Sequence, residues 1–424
     1  MGTLAISGGT PVRKEKWPRW PVVDERERAL MAEVLSGGNW SYNGPKEIEF
    51  RERWADFCGT RHAIPVANGT VSLQLIFEAL DIGWGDEVIV PALTWQATAA
   101  AVVDVNATPI LADVVEDSWC IDPEEIERLI TPRTKAVAVT HLYGAVCDME
   151  AINAVAKRYG IYVVEDSAHQ HGTVLRGKKT GNLGHAASFS LQNSKPFTCG
   201  EGGVVTTNLS DVAERLDALR NCGRRPVKRE VAEKNTGNYV IEGNFIQSGN
   251  YRMTEFQAAV LIGQLEKLPA QIQRREENAL YLRSLLEGID GIANQRRQAG
   301  TDVQTYFNFA FGFDRAAFGG IDVGKFREAL TVEVGFPFTG CYQPLNHCDL
   351  YRPLTKRRHR ISAEYEAAIN PERFPVPTAT RIFSETSVCA HHAFLLAERR
   401  DMECVAEAIR KIKANAGELA AGRG

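Results

Sequence analysis

The chain has 424 residues, more than one small hydrophobic core usually organises, so a large domain with a smaller companion is expected. Hydrophobic residues make up 44% and charged residues 24%, as in average globular proteins, and no apolar run is long enough to span a bilayer. The net charge of −4 is small and the basic residues are scattered, which excludes nucleic acid and membrane as expected partners. Without a signal-like N-terminus, the sequence predicts a cytoplasmic protein.

Neither the cysteines nor the basic residues indicate a bound metal or a further binding partner. Nine cysteines occur singly, with no CxxC pair and no tight Cys/His cluster, so no metal site is predicted. An odd number of cysteines fits reduced thiols in a cytoplasm better than a disulfide framework. The densest basic run, residues 224–229, lies between helical patterns and is interpreted as a solvated loop.

The first half of the chain alternates strand-like segments with amphipathic helical patterns. Continuous apolar segments rich in β-branched residues lie at 86–92, 108–114, 135–144 and 161–168. They predict a parallel sheet buried on both faces, with helices at 122–130 and 149–160 between the strands. Because ligands of such sheets collect at the carboxyl ends of the strands, the functional site should lie there.

The second half begins with a long helical pattern at 254–290. Pro269 interrupts this pattern, which predicts two helices or one kinked helix. We place the domain boundary here, with a large domain and N-terminal arm at 1–265 and a smaller C-terminal α+β domain at 266–424. The C-terminal part contains a strand-like segment at 305–313, an amphipathic segment at 322–330 and a final helix at 399–416.

Asp166 ends the apolar strand, so its carboxylate should point into the crevice beyond the sheet. A buried acid needs a partner. A protonated pyridine nitrogen is one such partner, because the carboxylate stabilises the ring cation and the cation makes the ring an electron sink. For an isolated aspartate at a strand end, a helix cap or a salt bridge is the commoner role, so this position alone does not decide.

Lys195 lies in a segment with little charge, before the glycine-rich turn at 200–203. Burial there would lower the pKa of its ammonium group and leave a free amine that can attack an aldehyde and carry protons. A solvated loop lysine is the alternative, and position alone leaves both open.

Five motifs, taken in order, resemble the DegT/StrS family of fold type I pyridoxal-phosphate (PLP) aminotransferases. They are NGT (68–70), PALTWQATAAA (91–101), EDSAHQHG (165–172), FSLQNSKPFTCGEGG (189–203) and GNYRMTEFQAA (249–259). The resemblance covers essentially the whole chain. It is greatest to the branch that acts on keto-cyclitols of aminoglycoside biosynthesis, the scyllo-inosose and 2-deoxy-scyllo-inosose aminotransferases. The further shared traits are WCID (119–122), FGGIDVGKF (318–326) and HHAFLLAE (391–398).

The resemblance implies an α/β fold of type I, with a mainly parallel sheet flanked by helices and a smaller C-terminal α+β domain. It implies that Lys195 carries PLP as a Schiff base and that Asp166 pairs with the pyridine nitrogen. Gly69 and Thr70 match the turn that holds the cofactor phosphate, which suits a turn that opens a helix. Ser190 matches a second phosphate contact.

Four further assignments come from the same resemblance. Trp95 matches the aromatic residue that stacks on the pyridine ring, and Asn250 matches an asparagine that reaches the phosphate from the neighbouring subunit. A homodimer with shared active sites is therefore implied. His169 stands where many relatives have Gln against the phenolic oxygen, whereas 3-amino-5-hydroxybenzoate synthases also have His. Residues 39–44 depart from the usual sequence of the branch and are expected to line the substrate pocket.

The implied reaction is a ping-pong transfer of an amino group from L-glutamine to a small polyhydroxy ketone, a keto-cyclitol. A nucleotide-linked keto-sugar is an alternative acceptor, for which Arg224, Arg225 and Arg229 would supply a cationic groove. A lyase like 3-amino-5-hydroxybenzoate synthase is another alternative. The sugar dehydratases of the family carry His where this chain has Lys195, which argues against them. A silent PLP-binding regulator would need neither Lys195 nor Asp166.

Overall fold

A computed structural model describes residues 2–224 and 246–420 of the chain. Most of the basic run, residues 225–229, therefore lies outside the described residues. Two helices precede the first strand, α1 (Glu25–Gly37) and α2 (Pro45–Cys58). Among the described residues, the helices are all too short or too polar to cross a membrane.

A seven-stranded sheet forms the centre of the molecule, in the order β1-β9-β8-β5-β4-β2-β3. Its strands are β1 (His62–Val66), β2 (Glu87–Pro91), β3 (Thr108–Ala112), β4 (Thr134–Thr140), β5 (Tyr162–Asp166), β8 (Ala186–Ser190) and β9 (Gly203–Thr207). The pairs from β3 to β8 are parallel, whereas β9 is antiparallel to both of its neighbours. The predicted parallel sheet is confirmed, and the carboxyl ends of β2, β4, β5 and β8 lie at the same edge.

Helices connect these strands. They are α3 (Gly69–Ala79), α4 (Ala97–Asp104), α5 (Pro123–Leu129), α6 (Met149–Tyr159) and α7 (Ser210–Arg220). Two of them, α5 and α6, lie where the periodicity at 122–130 and 149–160 predicts helices. Asp122 and Asp148 cap the first turns of α5 and α6 with their side chains. Gly160 ends α6 at a φ of 66°, a conformation that glycine adopts at little steric cost.

A single helix of 32 residues, α8 (Glu255–Leu286), leads into the C-terminal part. Pro269 lies within it, so the long pattern forms one helix and not two. The boundary placed at residue 265 falls inside this continuous helix, and the division of the chain there stays a prediction.

The C-terminal part contains an antiparallel sheet in the order β10-β12-β14-β13. Its strands are β10 (Ile292–Asn294), β12 (Asn308–Phe313), β13 (Phe338–Thr339) and β14 (Ser387–His391). Short strands β6 (Val174–Leu175), β7 (Lys178–Lys179) and β11 (Thr301–Val303) form a third sheet. The remaining helices are α9 (Val323–Val334), α10 (Ala363–Ile369), α11 (Pro377–Arg381), α12 (Arg399–Ala414) and α13 (Ala416–Ala420).

An N-terminal arm, residues 2–24, packs on this C-terminal part. Leu4 is buried in its hydrophobic core, and Arg13 forms a buried ion pair with Asp401 at 2.8 Å. The Glu333 carboxylate accepts the backbone N–H of Ala5 at 2.8 Å. The arm then runs towards the loop that contains Lys195, where the Trp20 indole donates a hydrogen bond to the Asn193 carbonyl at 3.0 Å.

Candidate active site

A cavity of about 680 Å³ lies at the carboxyl ends of the parallel strands. All of the predicted site residues except Asn250 line it: Gly69, Thr70, Trp95, Asp166, His169, Ser190 and Lys195. The parallel order of the strands explains this grouping, because Asp166 ends β5 and Ser190 ends β8, its direct neighbour in the sheet. Residues far apart in sequence thus share one crevice.

Asp166 is buried, with only 5% of its surface exposed. Its carboxylate accepts two hydrogen bonds, from the Thr98 hydroxyl at 2.7 Å and from the Ala168 backbone N–H at 3.2 Å. Burial raises the pKa of Asp166, although these bonds and the charge of Lys195 act in the opposite direction. A cationic N–H placed against this carboxylate would offset the cost of burial, so the site fits a protonated pyridine nitrogen.

Lys195 follows β8 in a tight loop, where its backbone N–H donates to the Gln192 carbonyl at 2.9 Å. Its side chain is buried, and its amine lies 4.0 Å from the centroid of the Phe307 ring. Burial lowers the pKa of Lys195 to about 8, and the charge of Asp166 opposes this shift only in part. With this pKa, about a tenth of the amine is unprotonated at about pH 7 and able to react with an aldehyde, far more than for an exposed lysine.

The N-terminus of α3 faces the same cavity. Asn68 caps this helix, and its side chain accepts the backbone N–H of Val71 at 2.9 Å. The N–H groups of Gly69 and Thr70 lie in the first turn, where a helix has no acceptor for them, so they attract an anion. A Cβ atom at Gly69 would stand 2.7 Å from the Ser190 Cβ, so only glycine allows this close approach. The cradle of amides and hydroxyl groups fits a phosphate.

His169 is held in one tautomer. The backbone N–H of Tyr143 donates to its Nδ1 atom at 3.2 Å, so the ring hydrogen lies on Nε2, 3.2 Å from the Tyr342 hydroxyl. The ring stacks on Phe307, with the centroids 4.1 Å apart. Burial lowers the pKa of His169 well below its usual value, so the imidazole is neutral and presents an N–H donor at the cavity.

Two wall residues carried no sequence signal. Phe307 precedes β12 and Tyr342 follows β13, and both reach the cavity from the C-terminal part of the chain. Tyr342 also lies 5.5 Å from the Trp95 ring, which is 44% exposed and forms the outer wall. Thr98, which donates to Asp166, lies inside the motif at 91–101, but this hydrogen bond to the end of β5 is visible only in the structure.

Asn250 does not line this cavity and is exposed. Its side-chain oxygen accepts a hydrogen bond from the Arg252 guanidinium at 2.9 Å. The segment 39–44 lies in the same region, where Tyr42 packs under Arg252 at 4.4 Å, and it does not line the cavity of its own chain. Among residues 2–224 and 246–420, no group of three or more His, Cys, Asp or Glu side chains could hold a metal ion.

Comparison with known proteins places this chain in a family. The sequence matches the DegT/DnrJ/EryC1/StrS aminotransferase family over residues 21–378. It is 40% identical to an L-glutamine:2-deoxy-scyllo-inosose aminotransferase of Streptoalloteichus tenebrarius, over 99% of both chains. It is 39% identical to an L-glutamine:scyllo-inosose aminotransferase of Streptomyces griseus, over 98% of this chain and 99% of that one.

The fold is shared as well. The crystal structure of 3-amino-5-hydroxybenzoic acid synthase superposes with a TM-score of 0.80 and 30% identity, over 94% of this chain and 99% of that chain. The resemblance inferred from the five motifs is therefore confirmed, together with the fold class. The chain belongs to the DegT/DnrJ/EryC1/StrS family, and it is a PLP-dependent aminotransferase with the type I fold.

Proposed function

We propose that the protein transfers the amino group of L-glutamine to a keto-cyclitol of the scyllo-inosose or 2-deoxy-scyllo-inosose type, a step of aminoglycoside biosynthesis. The observation that carries this proposal is the 40% identity, over 99% of both chains, to an enzyme named for L-glutamine and 2-deoxy-scyllo-inosose. The motifs at 119–122, 318–326 and 391–398 support the same branch.

The residues of the cavity fit PLP with a division of tasks. Gly69, Thr70 and Ser190 would hold the phosphate, and Trp95 would cover one face of the ring. Asp166 would keep the ring nitrogen protonated. His169 would donate its Nε2 hydrogen to the phenolic oxygen, as an amide does in relatives with Gln. When bound, PLP supplies a ring that accepts electrons from the carbon being deprotonated.

Lys195 would both anchor the cofactor and move protons. Because burial brings the pKa of its amine to about 8, the group can take up a proton and release it near neutral pH. In the first half-reaction it would remove the proton from the α-carbon of L-glutamine. In the second it would deliver a proton to the former carbonyl carbon of the acceptor. One amine thus serves both half-reactions of a ping-pong cycle.

The charges of the cavity favour a neutral polyol over a nucleotide-linked sugar. Among the described residues that line it, Lys195 is the one cation, whereas Gln192, Glu201 and Tyr342 offer groups that hydrogen-bond hydroxyls. A diphosphate would need arginine or lysine partners. The alternative with a nucleotide-linked acceptor depends on Arg224, which does not line the cavity, and on Arg225 and Arg229, which lie outside the described residues.

A substrate comparison tests the proposal. The purified protein would be incubated with L-glutamine and, separately, scyllo-inosose, 2-deoxy-scyllo-inosose and a nucleotide-linked keto-sugar, with Lys195→Ala as the control. We expect an amino-cyclitol by mass spectrometry with one or both inososes. A product only from the keto-sugar, or an aromatised product from a lyase reaction, would reject the keto-cyclitol assignment. Borohydride reduction and peptide mapping would test whether the cofactor is attached to Lys195.

We also place the protein in the cytoplasm as a homodimer with shared sites, in which Asn250 would complete the neighbour's phosphate site. Support for the dimer comes from Asn250, which is exposed and does not line the cavity of its own chain. Mixing Asn250→Asp with Lys195→Ala tests this, because one hybrid site would carry both defects and the other neither. With random exchange, activity should return to about a quarter of wild type. Demonstrated exchange without recovered activity would show that Asn250 acts within its own chain.

A further inference from the structure

The two backbone carbonyls immediately before Lys195 are held by side chains from distant parts of the chain. The Ser194 carbonyl accepts hydrogen bonds from the Nε2 atoms of His391 at 2.8 Å and of His392 at 3.0 Å. The Asn193 carbonyl accepts one from the Trp20 indole at 3.0 Å. A carbonyl oxygen has two lone pairs, so the two histidines fill the acceptor capacity of Ser194.

Both imidazoles act as neutral donors. The Nδ1 atom of His391 accepts the backbone N–H of Ala393 at 3.4 Å, which leaves the ring hydrogen on Nε2. Burial lowers the pKa of His391 and lowers that of His392 further, and the charge of Arg275 acts in the same direction. A neutral imidazole that donates from Nε2 keeps the hydrogen bond to Ser194 without adding a charge beside Lys195.

The three donors stand on anchored elements. His391 ends β14, a central strand of the C-terminal sheet, and its ring lies 4.1 Å from that of His392. Trp20 packs edge-on against His392 at 4.7 Å. Its arm is tied to α12 by the buried Arg13–Asp401 pair. Hydrogen bonds from both the N-terminal arm and the C-terminal sheet therefore hold the loop before Lys195 in place.

We propose that Trp20, His391 and His392 form a carbonyl clamp that positions the Lys195 amine for proton transfer. This inference rests on the proposed function of Lys195. The three are positioning residues, since they act through the backbone of residues 193–194 and not on the substrate. A displacement of about 1 Å at a reacting group can cost roughly a hundredfold in rate, so a clamp on the two preceding residues has a catalytic consequence.

The clamp can be tested by comparing two kinds of substitution at His391 and His392, one that keeps a donor in place and one that does not. The amide nitrogen of Gln lies as many bonds from Cα as the Nε2 atom of His, whereas that of Asn is one bond shorter. His391→Gln and His392→Gln should therefore keep the donor, and His391→Asn and His392→Asn should lose it. The same exchanges at His347, which is exposed, provide the matched control.

We expect the double Asn variant to lose about tenfold or more in kcat with KM changed by less than about threefold, because substrate contacts remain while the amine is misplaced. The double Gln variant should keep at least about a third of the wild-type kcat. Equal activity of the Asn and Gln variants, whether high or low, would overturn the clamp, because packing alone would then explain the result.

A second measurement needs no turnover. In the cofactor-free protein, an amine-reactive reagent would modify Lys195, and peptide mass spectrometry would follow the rate. This rate should change in the Asn variants and stay as in wild type in the Gln variants. Trp20→Phe keeps a ring against His392 but removes the indole N–H, so it should also change the rate. It supplies the test on its own if the double Asn variant does not fold. An unchanged rate in Trp20→Phe and in every folded Asn variant would refute the clamp.

Borohydride labelling of the wild-type holoenzyme separates the two levels of inference. If the label is on Lys195 and the Gln and Asn variants have equal activity, the clamp is rejected and the proposed function remains intact. A label on another lysine would reject the role of Lys195, and the clamp with it.

Discussion

The two faces of strand β5 carry adjacent buried carboxylates with different surroundings. Glu165 accepts backbone N–H groups of Gly181 at 2.9 Å and of Leu183 and Gly184 at 2.7 Å. It also accepts a hydrogen bond from His141 Nε2 at 3.2 Å. Its neighbour Asp166 accepts only two protein hydrogen bonds among the described residues and faces the cavity.

This difference separates a structural acid from a functional one. Successive side chains of a strand point to opposite faces, so Glu165 and Asp166 necessarily meet different partners. A carboxylate whose lone pairs are filled by backbone donors holds a loop in place. One with unused acceptor capacity beside a cavity can bind a ligand cation. We therefore expect substitutions on the cavity face to reduce activity and those on the opposite face to reduce stability.

The largest effect on the cavity face is expected for Lys195→Ala. It removes both the cofactor anchor and the proton carrier, so turnover should fall about a thousandfold or more while the fold is retained. Steady-state kinetics and a circular dichroism spectrum would measure the two consequences. Activity within about tenfold of wild type would contradict the assignment.

Asp166→Ala should reduce turnover by about a hundredfold or more, since the ring nitrogen would lose the carboxylate that keeps it protonated. Cofactor should still bind through Lys195 and the phosphate contacts, which absorbance and equilibrium dialysis would report. Near-normal turnover would make Asp166 a structural residue like Glu165, and the comparison between the two faces would fail.

Glu165→Gln should destabilise the protein by about 3 kcal/mol, because an amide cannot accept the several backbone N–H groups that the carboxylate accepts. The turnover of the folded enzyme should stay close to that of wild type. Urea unfolding and kinetics on the same preparation would measure both quantities. A large loss of kcat without loss of stability would place Glu165 in the catalytic machinery.

A second effect on stability concerns the charge of Lys195 itself. Because burial lowers its pKa from 10.5 to about 8, the folded protein bears the cost of a buried ammonium below about pH 8 and none above about pH 10.5, where both states are neutral. Lys195→Met should therefore stabilise the cofactor-free protein by about 3 kcal/mol at about pH 7, because a pKa shift converts at about 1.4 kcal/mol per unit. Urea unfolding should show that the difference in free energy of unfolding between Lys195→Met and wild type becomes smaller at about pH 10. A difference that increases with pH would contradict a lowered pKa of Lys195.

The sequence predicted the parallel strands and their helices well. Continuous apolar runs at 86–92 and 161–168 have one physical meaning in an α/β chain, which is a strand buried on both faces. The strand pattern also predicted the edge at which the cavity lies, because ligands collect at the carboxyl ends of parallel strands. The resemblance to the family, and not the strand pattern, predicted which further residues belong to the site, namely Gly69, Thr70, Trp95, His169 and Ser190. The pattern at 254–290 left two possibilities open, since proline weakens a helix locally but tertiary packing decides whether the helix continues.

Composition and periodicity by themselves thus determined the parallel sheet and the edge at which the site lies, whereas the resemblance of five motifs indicated the family. Only the tertiary structure decided which of two adjacent acids keeps free acceptor capacity, because the donors to Glu165 come from residues 181–184 and not from its own strand. It likewise brought Phe307 and Tyr342 into the cavity and His391 onto the Ser194 carbonyl. The contacts of Phe307, Tyr342 and His391 join residues more than a hundred positions apart, and local sequence patterns carry no information about such pairings.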